Sequence, residues 1–394
     1  MKSMVSLFLS QSYKDAWEDY IRSLNRPNFI RWDYILLTAS NEQQAEGFRM
    51  QLEERRQAGL LPPATRFAVL PDPEGKRVGS GGATLNVLRY IAEQEGGANF
   101  HGKRILVIHS GGDSRRIPQY SALGKLFSPV PRELPNGRAS TLFDEFLIGM
   151  SGVPGRMRDG MLLLSGDVML LFNPLQIDFS GAGAAVISFK EDVETGKNHG
   201  VYLMGEDGNV AEFLHKQSVE TLRAKGAVNE GNCVDIDTGA VIFSSEMLQS
   251  LYALLCTDGR YSAARYGRFV NEEVRLSLYG DFLYPLAEHS TLKAFYLEKP
   301  EGSYCEALHA ARTESIARQI GLDARVSGAP DERIRFPKRS WWVLLRHEVG
   351  GLLVADVSAA LGRRPADKLE AFLRRVQLLF KPSDRSRLEQ LENR

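Results

Sequence analysis

At 394 residues the chain is long for a single domain, and 49 Lys plus Arg against 49 Asp plus Glu leave a formal net charge of zero. That balance excludes a general nucleic-acid or anionic-membrane binder, which needs a basic excess; any basic cluster must be local and aimed at a small anion. Cys233, Cys256 and Cys305 are far apart and lack CxxC spacing, so they form neither a disulfide framework nor a zinc site, and a reducing cytoplasm fits them best.

The apolar patch Met4 to Leu9 is too short for a membrane span and runs on into charged sequence as the start of a packed helix. Residues 32–40, "WDYILLTAS", read as a buried strand, and 41–59 as an amphipathic helix ending at Gly59. Residues 65–75 are a second strand leading into a turn, and 78–96 a glycine loop opening a helix. Three further strands follow at 103–112, 160–170 and 182–191. Strands alternating with helices predict an α/β fold with a mixed, mostly parallel sheet covered on both faces. Such sheets bind ligands at the carboxyl ends of their strands, where Ser40, Ser110 and Asp167 stand.

From about Gly200 the elements shorten, and Glu206-Asp207-Gly208-Asn209 signals a hairpin turn. "CVDIDTGAVIFSS" then reads as another strand. The last hundred residues have helical periodicity at 306–322 and 355–394, separated by the Pro-containing linker 327–340. The expected organisation is therefore a catalytic-sized unit at 1–295 followed by a mainly helical region at 296–394, whose helices are the natural surface for any homo-oligomer.

Two glycine-rich turns carry the chemistry. "GSGGATL" places Gly79, Ser80, Gly81 and Gly82 at a helix start, where N–H groups and the helix dipole attract anions. "SGGDSRRIPQYSALGKLF" leaves a strand through Gly111 and Gly112 and then crowds Arg115, Arg116 and Lys125 together, cations that would repel one another without an anion between them. It is not a P-loop, because Lys125 lies fourteen residues beyond Gly111 and no Ser or Thr follows it.

Taken in order, "VGSGGATLN", "SGGDSRRIPQYSALGKLF", "HGVYL", "EFLHKQS" and "YGDFLYPL" resemble the GDP-L-fucose pyrophosphorylase (fucose-1-phosphate guanylyltransferase) family, including the form fused to L-fucokinase. The resemblance spans roughly residues 30–290 and implies a Rossmann-like sheet of the sugar nucleotidyltransferase type. It divides the first unit into a nucleotide half (about 30–190) and a sugar-side lobe (about 195–295). It makes Gly111, Gly112 and Ser114 the phosphate-loop backbone, and Arg116 and Lys125 the catalytic cations. Asp167 and Asp281 would be Mg²⁺ carboxylates, while His199, Gly200 and Lys216 would bind the sugar phosphate. The implied substrates are GTP, or another NTP, and L-fucose-1-phosphate, with no nucleic acid and no membrane partner. Gln217 stands where the family pattern has Pro, and neither the hexapeptide repeats of a β-helix nor a "GLGSS"-type kinase loop is present.

Alternatives stay open at this level. Asp after Gly at a strand end also caps turns, Asp281 also reads as a helix N-cap, and a lone His199 is more often structural. Another sugar-1-phosphate such as a heptose, or a non-catalytic nucleotide-sugar-binding regulator, would keep much of the pattern.

Overall fold

In the computed structural model, residues 4–110, 124–289, 341–344 and 352–356 are described, apart from 178, 180, 207 and 273. A long helix, α1 (Met4–Asn25), leads into β1 (Tyr34–Ala39), α2 (Glu42–Gln57), β2 (Arg66–Pro71), α3 (Gly79–Gln94) and β3 (Arg104–His109). Then follow β4 (Pro129–Glu133), β5 (Ala139–Thr141), α4 (Leu142–Gly149), β6 (Gly160–Ser165), β7 (Val168–Phe172) and β8 (Ala184–Asp192). The second half holds α5 (Val193–Gly196), β9 (Gly200–Met204), β10 (Val210–His215), α6 (Val219–Ala224) and β11 (Cys233–Phe243). It continues with α7 (Ser245–Ala253), β12 (Cys256–Thr257), β13 (Arg260–Tyr261) and α8 (Ala263–Phe269), and the far C-terminal region adds β14 (Trp341–Leu344) and β15 (Leu352–Asp356).

Strands β2, β1, β3 and β6 pair in parallel, in that order. Each is joined to the next by a crossover containing a helix, as parallel pairing requires. Alternate residues of each strand enter opposite cores: Ile35, Leu37, Leu106 and Ile108 pack with α1, α2 and α4, while Tyr34, Leu36, Ile105 and Val107 pack with α3 and α7. Burial on both faces is why these strands read as unbroken apolar runs.

Beyond β6 the pairing turns antiparallel. The eleven-residue β11 pairs β6 through its last residues, β9 through Asp235 and Ile236, and β8 along its other edge. The hairpin expected at 206–209 is present between β9 and β10, with the Gly205 N–H donating to the Asn209 carbonyl. Between Asp237 and Val241 the register of β11 on β8 slips, forming a bulge. Gly239 takes a φ of +77° there, and the Thr238 hydroxyl donates to the Ile187 carbonyl at 2.6 Å.

The C-terminal region differs from expectation where it is described. Trp341–Leu344 pairs in parallel with β8, and Leu352–Asp356 pairs antiparallel with β7. Both are strands, and the second covers the first residues of the block read as helix from 355. Largely apolar runs suit an open sheet edge, and pairing satisfies the edge groups of β8 and β7. The helices expected at 306–322 and over the rest of 355–394 lie outside the described residues. Among the described residues no helix is long and apolar enough to cross a membrane.

Candidate functional site

The parallel strands end around a cavity of about 530 Å³ lined by Ser80, His109, Ser165, His199, Asp237 and Tyr279 among others. It opens at the carboxyl ends of β3 and β6, although Ser40, Ser110 and Asp167, expected at such a crevice, are not among its lining residues.

Lys125 is brought here from a distance. Gly124 has a φ of +76°, and a Cβ on it would sit 2.9 Å from the Phe48 ring and 2.8 Å from the Gln44 amide. Only glycine permits that close approach to α2, and the approach turns the next residue inward. Lys125 is consequently buried, and its Nζ donates to Oδ2 of Asp167 at 3.0 Å. Asp167 follows Gly166, where a Cβ would meet the His109 carbonyl at 2.5 Å; the Gly166 N–H donates to that carbonyl at 2.7 Å. The Gly-Asp pair therefore exists because the turn after β6 crosses the end of β3. Oδ1 of Asp167 accepts from the Ser165 hydroxyl at 2.7 Å, and the carboxylate keeps 21% of its surface exposed between the lining residues Ser165 and Val168.

The glycine turn at 79–82 is placed beside the cavity, but most of it serves packing. A Cβ on Gly79 would lie 2.3 Å from the Leu276 carbonyl oxygen, and one on Gly81 would lie 2.9 Å from the Leu276 Cβ. The Gly81 N–H donates to Leu276 at 2.7 Å, and the Ser80 hydroxyl accepts from the Leu278 N–H at 2.9 Å. Gly82 approaches the Val78 side chain. Of the four, Ser80 lines the cavity.

His199, Gly200 and Lys216 all line the cavity. A Cβ on Gly200 would meet the Phe213 ring at 2.4 Å, so glycine lets that ring lie against β9. Phe213 then stacks on Tyr279, with centroids 5.2 Å apart and planes 18° from parallel. Lys216 has a φ of +53°, and its N–H donates to the His199 carbonyl at 2.8 Å, fixing the two segments together at the exposed mouth. Burial, followed by the charges of Lys216 and His199, lowers the neighbouring His215 to about 4.

Asp281 is placed differently from the expectation. It is fully buried and is not among the cavity-lining residues; its Oδ2 accepts the Ser277 N–H at 2.6 Å. With Ser277 accepting from the Gly280 N–H at 3.1 Å, the two close a reciprocal cap on the single π-helical turn Leu278–Leu283. The N-cap is Ser277 rather than Asp281, which lies within the turn and reaches back to the N-cap N–H. Gly111, Gly112, Ser114 and Arg116 lie outside the described residues. Among the described residues no group of three or more His, Cys, Asp or Glu is gathered as a metal site.

Several cavity residues have no counterpart among the sequence candidates. Asp237 sits in the bulge of β11, where its Oδ1 accepts from the Tyr202 hydroxyl at 2.7 Å and the Gly239 N–H at 3.0 Å. Burial raises its pKa against those hydrogen bonds. The signal was the Asp-Thr-Gly interruption of an alternating strand, the mark of a bulge. His109, at the last position of β3, is flanked by Thr38 and Thr84 hydroxyls at 3.2 and 3.3 Å. Nothing local marked it.

A doubly covered parallel sheet with a cavity at the ends of β3 and β6, and a buried Lys125–Asp167 contact in the adjoining turn, defines an α/β fold with its candidate site at the strand ends. A family model described as the fucose pyrophosphorylase domain matches residues 97–317, more than half of the sequence, and the chain belongs to that family. It is 29% identical over 283 residues to the fucose-1-phosphate guanylyltransferase of Mus musculus, covering 66% of this chain and 47% of that protein. The human protein of the same name is 28% identical, covering 66% and 46% respectively. The bifunctional fucokinase/GDP-fucose pyrophosphorylase of Arabidopsis thaliana is 28% identical, covering 63% of this chain and 27% of that one. The chain thus spans less than half the length of these curated relatives. Among solved structures, HddC from Yersinia pseudotuberculosis matches with a TM-score of 0.28 at 10% identity, over 60% of this chain and 64% of that one, a likeness too loose to bear on the site.

Proposed function

We propose that this protein is a sugar-1-phosphate nucleotidyltransferase that joins GTP and L-fucose-1-phosphate to give GDP-L-fucose and pyrophosphate. The observation that carries the reading is the buried contact between Lys125 and Asp167 in the turn after β6, next to the cavity-lining Ser165 and Val168, in a chain of this family.

The attacking sugar-phosphate oxygen is already anionic near neutral pH, so no general base is required. The difficulty is bringing two anions together in line. Lys125 and Arg116 neutralise triphosphate charge, with the backbone at Gly111, Gly112 and Ser114 close to the phosphates. Lys216 and His199, at the exposed mouth, meet the sugar phosphate, while the Phe213–Tyr279 stack and Asp237 supply a ring-sized wall with one acidic edge. The partly exposed carboxylate of Asp167 offers the hard oxygen that Mg²⁺ takes together with phosphate oxygens, and it is the residue that would hold the ion. When bound, Mg²⁺ would neutralise charge on the reacting phosphates. The widely spaced cysteines, without CxxC spacing, suit a cytoplasmic setting.

The test is pyrophosphate release with Mg²⁺, L-fucose-1-phosphate and each of the four NTPs in turn. Release with GTP alone supports the full reading, and release only with another NTP keeps the chemistry and overturns the base. Nucleotide binding with no release from any sugar-1-phosphate, heptose phosphates included, overturns catalysis in favour of a binding protein.

A further inference from the structure

We propose that His109 is a positioning residue: as the neutral Nε2–H tautomer it is the middle link of a one-way chain of hydrogen bonds running from the Ser110 backbone to the Ser80 turn. What those two segments bind rests on the nucleotidyl-transfer reading; the chain of bonds does not.

Its direction follows from groups that can act in only one way. The Ser110 N–H can only donate, and it donates to Oγ1 of Thr38 at 3.3 Å. Its own proton can meet Nδ1 of His109, 3.2 Å away, once the other ring nitrogen carries the hydrogen. At the other end the Ser80 carbonyl can only accept, and it takes the proton of Thr84 Oγ1 at 2.8 Å. Thr84 therefore meets Nε2 of His109, 3.3 Å away, with a lone pair, and Nε2 must carry the hydrogen. A cationic ring would present a proton to Thr38 as well and leave the threonine proton without its acceptor. Burial works the same way, lowering His109 to about 4 and keeping it neutral at ordinary pH.

The residue also accepts the Gly166 N–H on its carbonyl at 2.7 Å. One histidine thus ties together the start of the phosphate loop (Ser110), the first turn of α3 (Ser80) and the turn that carries Asp167. Both ring nitrogens are occupied by threonine hydroxyls, so the imidazole has no nitrogen to offer a reacting group, although its ring borders the cavity. It acts by holding the nucleotide-facing segments in register.

The test pairs ¹⁵N-histidine NMR of the full chain with kinetics of Thr84→Val, Thr84→Ser, Thr38→Val and Thr38→Ser. The expected spectrum shows His109 protonated on Nε2 alone from about pH 6 to 8. The valine variants are expected to raise the nucleotide KM, and the dissociation constant of a fluorescent GTP analogue, about tenfold, with the sugar-phosphate KM within about twofold. The serine variants restore the hydroxyl and should restore nucleotide binding. A proton on Nδ1 or an imidazolium overturns the proposal, as do serine variants no better than valine, or KM values for both substrates rising together. Should a valine variant fail to fold, the wild-type spectrum and the serine variants still decide. Where no NTP is turned over, nucleotidyl transfer itself fails; a proton on Nε2 then still sustains the chain of bonds, and one on Nδ1 ends it.

Discussion

Nζ of Lys125 lies 3.0 Å from Oδ2 of Asp167, with the lysine side chain 6% exposed and the aspartate 21%. The pair joins two turns separated by 42 residues, and its partial burial makes each charge depend on the other.

Replacing Asp167 with Asn keeps the shape and the Ser165 contact while removing the charge. Pyrophosphate release should fall by about 10²-fold or more. Stability should fall as well, by about 3 kcal/mol, because Lys125 keeps its charge at 6% exposure while Asp167 loses its own. Lys125→Met should lose activity too, but with a smaller stability loss of about 1 kcal/mol, because the remaining Asp167 carboxylate is 21% exposed and keeps the Ser165 hydroxyl. Turnover assays with thermal melts separate the two effects; near-normal turnover in both variants would remove the basis for the site.

Gly79→Ala and Gly81→Ala should be structural lesions. A Cβ at these positions would lie 2.3 Å and 2.9 Å from Leu276 atoms, and Gly79 also has a φ of +77°. Each should cost about 2 kcal/mol or more in urea unfolding. Gly97→Ala, where nothing lies within 4 Å, serves as the control and should be neutral within about 0.5 kcal/mol. Equal effects at all three positions would refute the packing explanation.

Acid should destabilise the fold through buried histidines. His109 and His215 are each lowered to about 4, mainly by burial, from the ordinary histidine value of 6.5. Between about 6.5 and 4 the unfolded chain binds protons that the native state does not, so stability falls as pH drops through that window and is unaffected by these groups above it. The two together should remove on the order of 2 kcal/mol between pH 7 and pH 5, allowing for the partial exposure of both rings to the cavity. Urea midpoints at the two pH values check this, and His215→Gln should reduce the difference. A pH dependence unchanged in that variant would exclude His215 as a source.

Removing residues 296–394 should not leave an intact unit, since it deletes the partners of β8 and β7. The shortened chain is expected to melt at least about 5 °C lower and to self-associate through the uncovered edges. Size-exclusion chromatography and thermal scans give the readout; an equally stable monomer would show that the two added strands contribute nothing.

The sequence by itself determined the parallel half of the sheet, because strands buried on both faces must be continuously apolar and must alternate with amphipathic helices. It also placed Asp167 at a strand end, since a chain reversal is a local property. It could not choose between the roles of Asp281: a carboxylate four residues from Ser277 becomes a cap or a ligand according to which way the turn faces, and packing buried it. Nor could composition tell that Leu352–Asp356 would be strand, because that depended on an open edge of β7 contributed from about 180 residues earlier. His109 and Asp237 show the same limit from the side of the site. Their surroundings come from β1, α3, β9 and β11, so only the tertiary structure supplies the hydroxyls and amides that set the protonation and direction of each group.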